Sequence, residues 1–181
     1  QHRRPFEPPF AQVVEGLVGL LEGIGHHGGL HRHLRGHPQE LDAGEALEFF
    51  KEAGVGAVVI THGGNNIHIY AGDDARFLSL GPVMLPVSDR VTEELSAGKS
   101  GGDTTGCGDN FCGGLLYALA QQHRSEGSQK YDLIDAARWA VVSGGFACFY
   151  VGGTYFESRV GEKRDALASY YEAYRSQISL K

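Results

Sequence analysis

The residues best suited to chemistry stand together at Asp103-Thr104-Thr105-Gly106-Cys107-Gly108-Asp109. They lead directly into an apolar, helix-forming run from Asn110 to about Gln122. The first turn of a helix leaves backbone N–H groups without partners and carries roughly half a positive charge. Gly106 and Gly108 let the backbone turn so that several of those N–H groups converge. The product is an anion site, suited to the charge that builds on a transferring phosphoryl group. Asp109 falls at the helix start, where a carboxylate can accept the proton of an attacking hydroxyl. Charge stabilisation, in-line positioning and a base are the parts phosphoryl transfer needs. A simpler role as a helix cap is open to the same carboxylate.

Two other glycine patterns fail. Ala97-Gly98-Lys99-Ser100 ends like a P-loop, but Glu93 stands where that loop needs its first glycine. Gly106 and Gly108 are followed by Phe111 where G-x-G-x-x-G needs a third glycine.

The elements that must position this turn are legible from residue 42 onward. Asp42 can cap a helix, with Glu45 as its capping-box partner and Gly54 as its stop. Val55–Thr61 is a β-branched apolar run, expected as a strand buried on both faces. His62–Asn66 reads as a turn and Ile67–Ala71 as a second, alternating strand. Phe77–Val87 looks extended, with Pro82 and Pro86 at breaks or edge positions. Asp89–Gly102 reads as a loop with at most one helical turn. Helices are expected at Tyr131–Tyr150, rich in small residues, and near Lys163–Gln177, which is amphipathic. Helices interleaved with buried strands point to an α/β sandwich with a largely parallel sheet.

Composition narrows the function classes. The chain has 181 residues, 41% of them apolar and 21% charged, which supports one packed domain. Glycine is in excess, with 27 residues against a usual frequency of roughly 7%. A net charge of −6, with no long run of Lys or Arg, gives no nucleic-acid surface. There is no apolar run of membrane-spanning length. Cys107, Cys112 and Cys148 lack metal spacing and fit free thiols in a reducing cytoplasm. The chain opens on Gln1 and not on Met, which reads as processing or as part of a longer polypeptide.

DTTGCGDNFCGG, twelve consecutive residues, resembles the signature of ribokinase-like (PfkB-type) carbohydrate kinases. The resemblance implies a three-layer α/β/α sandwich and an enzyme that transfers phosphate from ATP to a hydroxyl of a sugar or nucleoside. It implies an anion hole at Gly106, Cys107 and Gly108, with Asp109 as catalytic base. VVITHGGNNIHIYAGD resembles the family's nucleotide-lining strand–turn–strand, with Thr61 and Gly63 matching and Asn66 where a second glycine is usual. The physical reading of THGGNN alone is an ordinary hairpin turn. AARWAVVSGGFACFYVGG resembles the helix and turn that wall the adenine pocket. On this resemblance Thr61, Gly63, Asn66, Thr105, Gly108 and Val141 contact nucleotide. Asp103, with the backbone of Thr105, Ala147, Tyr150 and Gly152, surrounds potassium. Magnesium is expected to bridge the ATP phosphates through water, with few protein ligands. The family's usual N-x-x-E segment is not found, and Glu15 and Glu22 are weak substitutes.

The resemblance covers about residues 42–181, leaving 1–41 as an irregular lead-in. The family's N-terminal half, with its sugar-binding aspartate and β-lid, has no counterpart in the sequence. Lids in the family often make dimers, so a homodimer is expected of a complete member. A fragment of a longer kinase, a separate partner chain and a nucleotide-binding remnant without catalysis are the competing explanations. His26–Pro38 carries five histidines, but Gly28, Gly29 and Gly36 oppose a helix that would pair them as metal ligands. Cys107 at a helix start reads as a small space-filling residue or as a regulatory thiol.

Overall fold

The computed structural model describes residues 42–73, 76–99, 101–126, 130–153 and 155–179. The histidine-rich segment, Glu15 and Glu22 lie outside the described residues. The chain divides into two units, Gln1–Ala46 and Leu47–Lys181. The sheet and the helices from Asp89 onward belong to the second.

Helix α1 (Ala43–Glu52) starts behind Asp42, whose Oδ1 accepts a hydrogen bond from Gly44 N at 2.8 Å. Gly54, with φ +81°, then turns the chain toward the sheet. Strands β1 (Ala57–Ile60), β2 (Ile67–Ala71) and β3 (Leu80–Leu85) follow in the order β1-β2-β3. Both pairings are antiparallel, with Val58 opposite Tyr70 and Ile69 opposite Val83.

This corrects the expectation of a largely parallel sheet: among the described residues the sheet is antiparallel. The connections 61–66 and 72–79 are too short for the crossover of about a dozen residues that parallel neighbours require. Nor is β1 buried on both faces. Only Val58 is buried there, and its neighbours are half-buried. β2 alternates as its sequence predicts, with Ile67, Ile69 and Ala71 inward. Burying a side chain such as Ile69 contributes about 1.5–3 kcal/mol. β3 is an edge strand that tolerates Pro82.

Helix α2 (Asp89–Ser96) replaces the expected loop. Ser88 caps it, Val91 is its buried anchor, and Arg90 pairs with Glu94 one turn on. Helices α3 (Cys107–Glu126) and α4 (Leu133–Ala147) form the core of the unit, and α5 (Glu162–Ser179) packs on α4 and α2. α3 and α4 cross closely because glycine faces backbone. A Cβ on Gly114 would lie 2.6 Å from the Trp139 carbonyl oxygen, and one on Gly144 would lie 3.1 Å from that of Cys107. Asp132 caps α4 by accepting from Asp135 N at 2.9 Å. Tyr174, fully buried on α5, donates to the Pro86 carbonyl at 2.6 Å and anchors that helix to the end of β3.

Candidate functional site

The start of α3 has the form its glycines require. Gly106 adopts φ +74°. Cys107 N donates to Thr104 O at 3.3 Å and Asn110 N donates to Gly106 O at 2.9 Å. Between them, the N–H groups of Gly108 and Asp109 make no hydrogen bond among the described residues. Both residues are exposed, and a Cβ on Gly108 would meet nothing within 4 Å. Two oriented donors at the positive end of a 20-residue helix therefore face open space.

Asp109 stands at a cavity of about 680 Å³ between α3, α4 and the start of α5. Tyr117 and Trp139 form an aromatic wall, and Lys163 and Val160 line the α5 side. Trp139 is fixed by stacking on Tyr171, with ring centroids 4.5 Å apart. Lys163 donates from its ammonium to Asn110 Oδ1 and from its backbone to Glu157 Oε1 at 2.8 Å. Burial lowers its pKa and outweighs the attraction of Glu157. A partly desolvated cation thus sits one residue from the expected base.

A second loop is knitted to this one. Asn110 Nδ2 donates to both Gly106 O at 2.8 Å and Gly153 O at 2.9 Å. Asp103 Oδ1 accepts from Thr105 N at 2.8 Å and from Gly152 N at 3.3 Å. These amides, Thr105 first, hold the Asp103 carboxyl below the usual carboxylate range. The loops touch backbone to backbone: a Cβ on Gly102 would lie 2.3 Å from Tyr150 N, and one on Gly153 2.5 Å from Thr105 O.

Of the residues named for a monovalent cation, Asp103, Thr105 and Gly152 are brought into direct contact. Asp103 reaches Thr105 and Gly152, the Ala147 carbonyl accepts from Tyr150 N, and the Tyr150 carbonyl accepts from Gly153 N. Each carbonyl keeps a second lone pair, and such oxygens suit a hard cation. No group of three or more His, Cys, Asp or Glu is placed to hold a metal among the described residues. Magnesium carried on nucleotide phosphates does not need such a group.

The residues named for nucleotide do not line that cavity. Thr61, Gly63 and Asn66 are exposed on the β1–β2 connection, where Asn65 N donates to His62 O in a tight turn. Val141 is buried within α4. None of the four lines the cavity at Asp109, and neither do Thr105 and Gly108. Lys163 and the bridging side chain of Asn110 escape the sequence reading, which places them only as helix-start residues.

A model of the pfkB family carbohydrate kinases matches residues 31–159. The chain belongs to that family. The pfkB match runs from before α1 through the Val151–Gly153 turn and ends ahead of α5, so Lys163 lies beyond it. Membership implies a ribokinase-like fold and carbohydrate-kinase chemistry, and pfkB kinases generally use ATP and Mg²⁺. A search of the curated proteins and a search of the solved structures each give no match. No helix among the described residues is long and apolar enough to cross a membrane.

Proposed function

We propose that this pfkB-family chain carries the phosphoryl-transfer site of an ATP-dependent kinase acting on a hydroxyl of a sugar, sugar-like or nucleoside substrate. The observation that carries this reading is the pairing of exposed Asp109 with the two unengaged amides of Gly108 and Asp109 itself. ATP with Mg²⁺ supplies the phosphoryl group and neutralises part of its charge. The Gly106–Gly108 turn donates N–H groups to the phosphoryl oxygens as their charge rises. Lys163 adds positive charge from the cavity side. Asp109 takes the acceptor's hydroxyl proton on its carboxylate oxygen as the new O–P bond forms. Potassium, held by Asp103 and the carbonyls of Thr105, Ala147, Tyr150 and Gly152, would stiffen the turn that aims those amides. Residues 42–181 form the nucleotide-binding and catalytic part in this reading.

The test is ATP titration by calorimetry followed by ADP release over a panel of sugars and nucleosides. Asp109→Asn is expected to lower turnover at least about a hundredfold while sparing ATP affinity. Full turnover in that variant overturns the role of Asp109. ATP binding without ADP release on any acceptor favours the alternative, a nucleotide-binding module without catalysis. The exposed, separate position of Thr61, Gly63 and Asn66 is what keeps that alternative in play.

A further inference from the structure

We propose that Cys107 and Cys148 form a reversible dithiol–disulfide pair, a modification site that closes under a peroxide and ties the start of α3 to the end of α4. The two sulfurs lie 3.2 Å apart although 41 residues separate them in sequence. A disulfide needs about 2.05 Å, so closure asks for a contraction of roughly 1.2 Å, within reach of small side-chain rotations. The backbone already holds the pair together. The Gly144 position brings the Cys107 carbonyl onto α4, where a Cβ would stand 3.1 Å from it. At Gly102 a Cβ would stand 2.5 Å from the Cys148 carbonyl, so the Asp103 loop is pressed against the same turn. Cys148 is the C-cap of α4, its N–H donating to Gly145 O at 3.1 Å. Both thiols are half-buried and reachable by a molecule as small as hydrogen peroxide.

The chemistry balances with peroxide as the only co-reactant. One sulfur, as thiolate, attacks the O–O bond, forms S–O and releases hydroxide. The other sulfur attacks that sulfenic acid. The S–S bond forms, the S–O bond breaks, and the departing hydroxide leaves as water with the second thiol's proton. The sulfur pair loses two electrons and the peroxide becomes two waters. An external dithiol reverses the bond by exchange. Cys107 lies between Gly106 and Gly108, so closure pulls on the turn proposed as the anion hole. That consequence rests on the kinase reading, but the bond itself does not.

Cys112, exposed on α3, is removed first to avoid ambiguity. The full chain carrying Cys112→Ser is titrated with hydrogen peroxide and followed by intact mass and non-reducing peptide mapping. Expected are a loss of two hydrogen masses, a linked Cys107–Cys148 peptide, reversal by dithiothreitol, and no such loss in Cys112→Ser/Cys148→Ser. Oxygen addition to separate cysteines with no linked peptide overturns the proposal. Where ADP release is present, it should fall about tenfold or more on closure and return on reduction, since a misplaced anion-hole donor is costly. A fully linked chain with unchanged turnover overturns the effect on the turn. A chain without ADP release leaves the mass readout to decide the bond.

Discussion

Asn110 fastens Gly106 to Gly153: one amide group donates to both carbonyls, at 2.8 and 2.9 Å, while its oxygen accepts from Lys163. A single side chain on the first turn of α3 therefore joins the Gly106–Gly108 turn, the turn after α4 and the start of α5.

Asn110→Ala should cost about 1–3 kcal/mol, because the Gly153 carbonyl and Lys163 lose their partner together, while the Gly106 carbonyl keeps only its bond from the backbone N of residue 110. Urea denaturation reads this as a lower midpoint with an unchanged slope. If Asn110 only decorates the surface, the shift will stay within about 0.5 kcal/mol.

Gly153→Ala is expected to be worse. Gly153 has φ +63°, and its missing Cβ would stand 2.5 Å from Thr105 O. Strain and backbone collision together should exceed about 3 kcal/mol. Ala at Gly108, where a Cβ meets nothing within 4 Å, is the control and should be nearly as stable as the parent. Thermal melts of the two variants give the comparison.

Lys163→Met keeps the apolar stem and removes the charge. On the proposed mechanism the KM for ATP rises about tenfold or more, the range expected for losing a hydrogen bond from a charged donor. Melting temperature should change little, since burial already disfavours the ammonium. An unchanged KM would remove Lys163 from the site.

The Lys99 hydrogen bond, then that of Tyr170, lowers the Glu94 carboxyl from its ordinary 4.5 to about 2. Tyr170 donates to Glu94 at 2.7 Å and accepts from Lys99 at 2.8 Å, so the three form one α2–α5 junction. A depressed carboxylate adds stability above its unfolded pKa and loses it as pH falls through the folded one. The stability gap between the parent and Glu94→Gln should be full above 4.5 and close as pH falls toward about 2. Denaturation at several pH values measures it. Lys99 and Glu94 are partly exposed, so added salt should narrow the gap at neutral pH.

What the sequence made legible was local. The alternation of Ile67, Ile69 and Ala71 marked β2 with its observed ends, and the glycine turn before Asn110 marked the start of α3 to within a few residues. The place of Asp109 in the first turn of α3 was readable because a helix start is itself a local feature. α2 was not, since Val91 is its one buried residue and the rest of Asp89–Ser96 is polar except for Leu95. Strand direction was also missed. The β-branched run Val58–Ile60 suits either direction, and the shortness of the connection after it carried the deciding information. The Asn110 contacts to Gly153 and Lys163 span 43 and 53 residues, beyond any periodic signal.

Those long spans also bear on how the protein folds. Neither turn can hold its shape until α3 and α4 have docked, because each is propped by the other's carbonyls and amides. Loop closure over such distances is an entropic barrier that must be crossed before any of these bonds forms. Ligand capture and the last stage of chain collapse should then be one cooperative event. An anion bound at Gly108 would protect amides at the far end of α4 from exchange as strongly as those beside it.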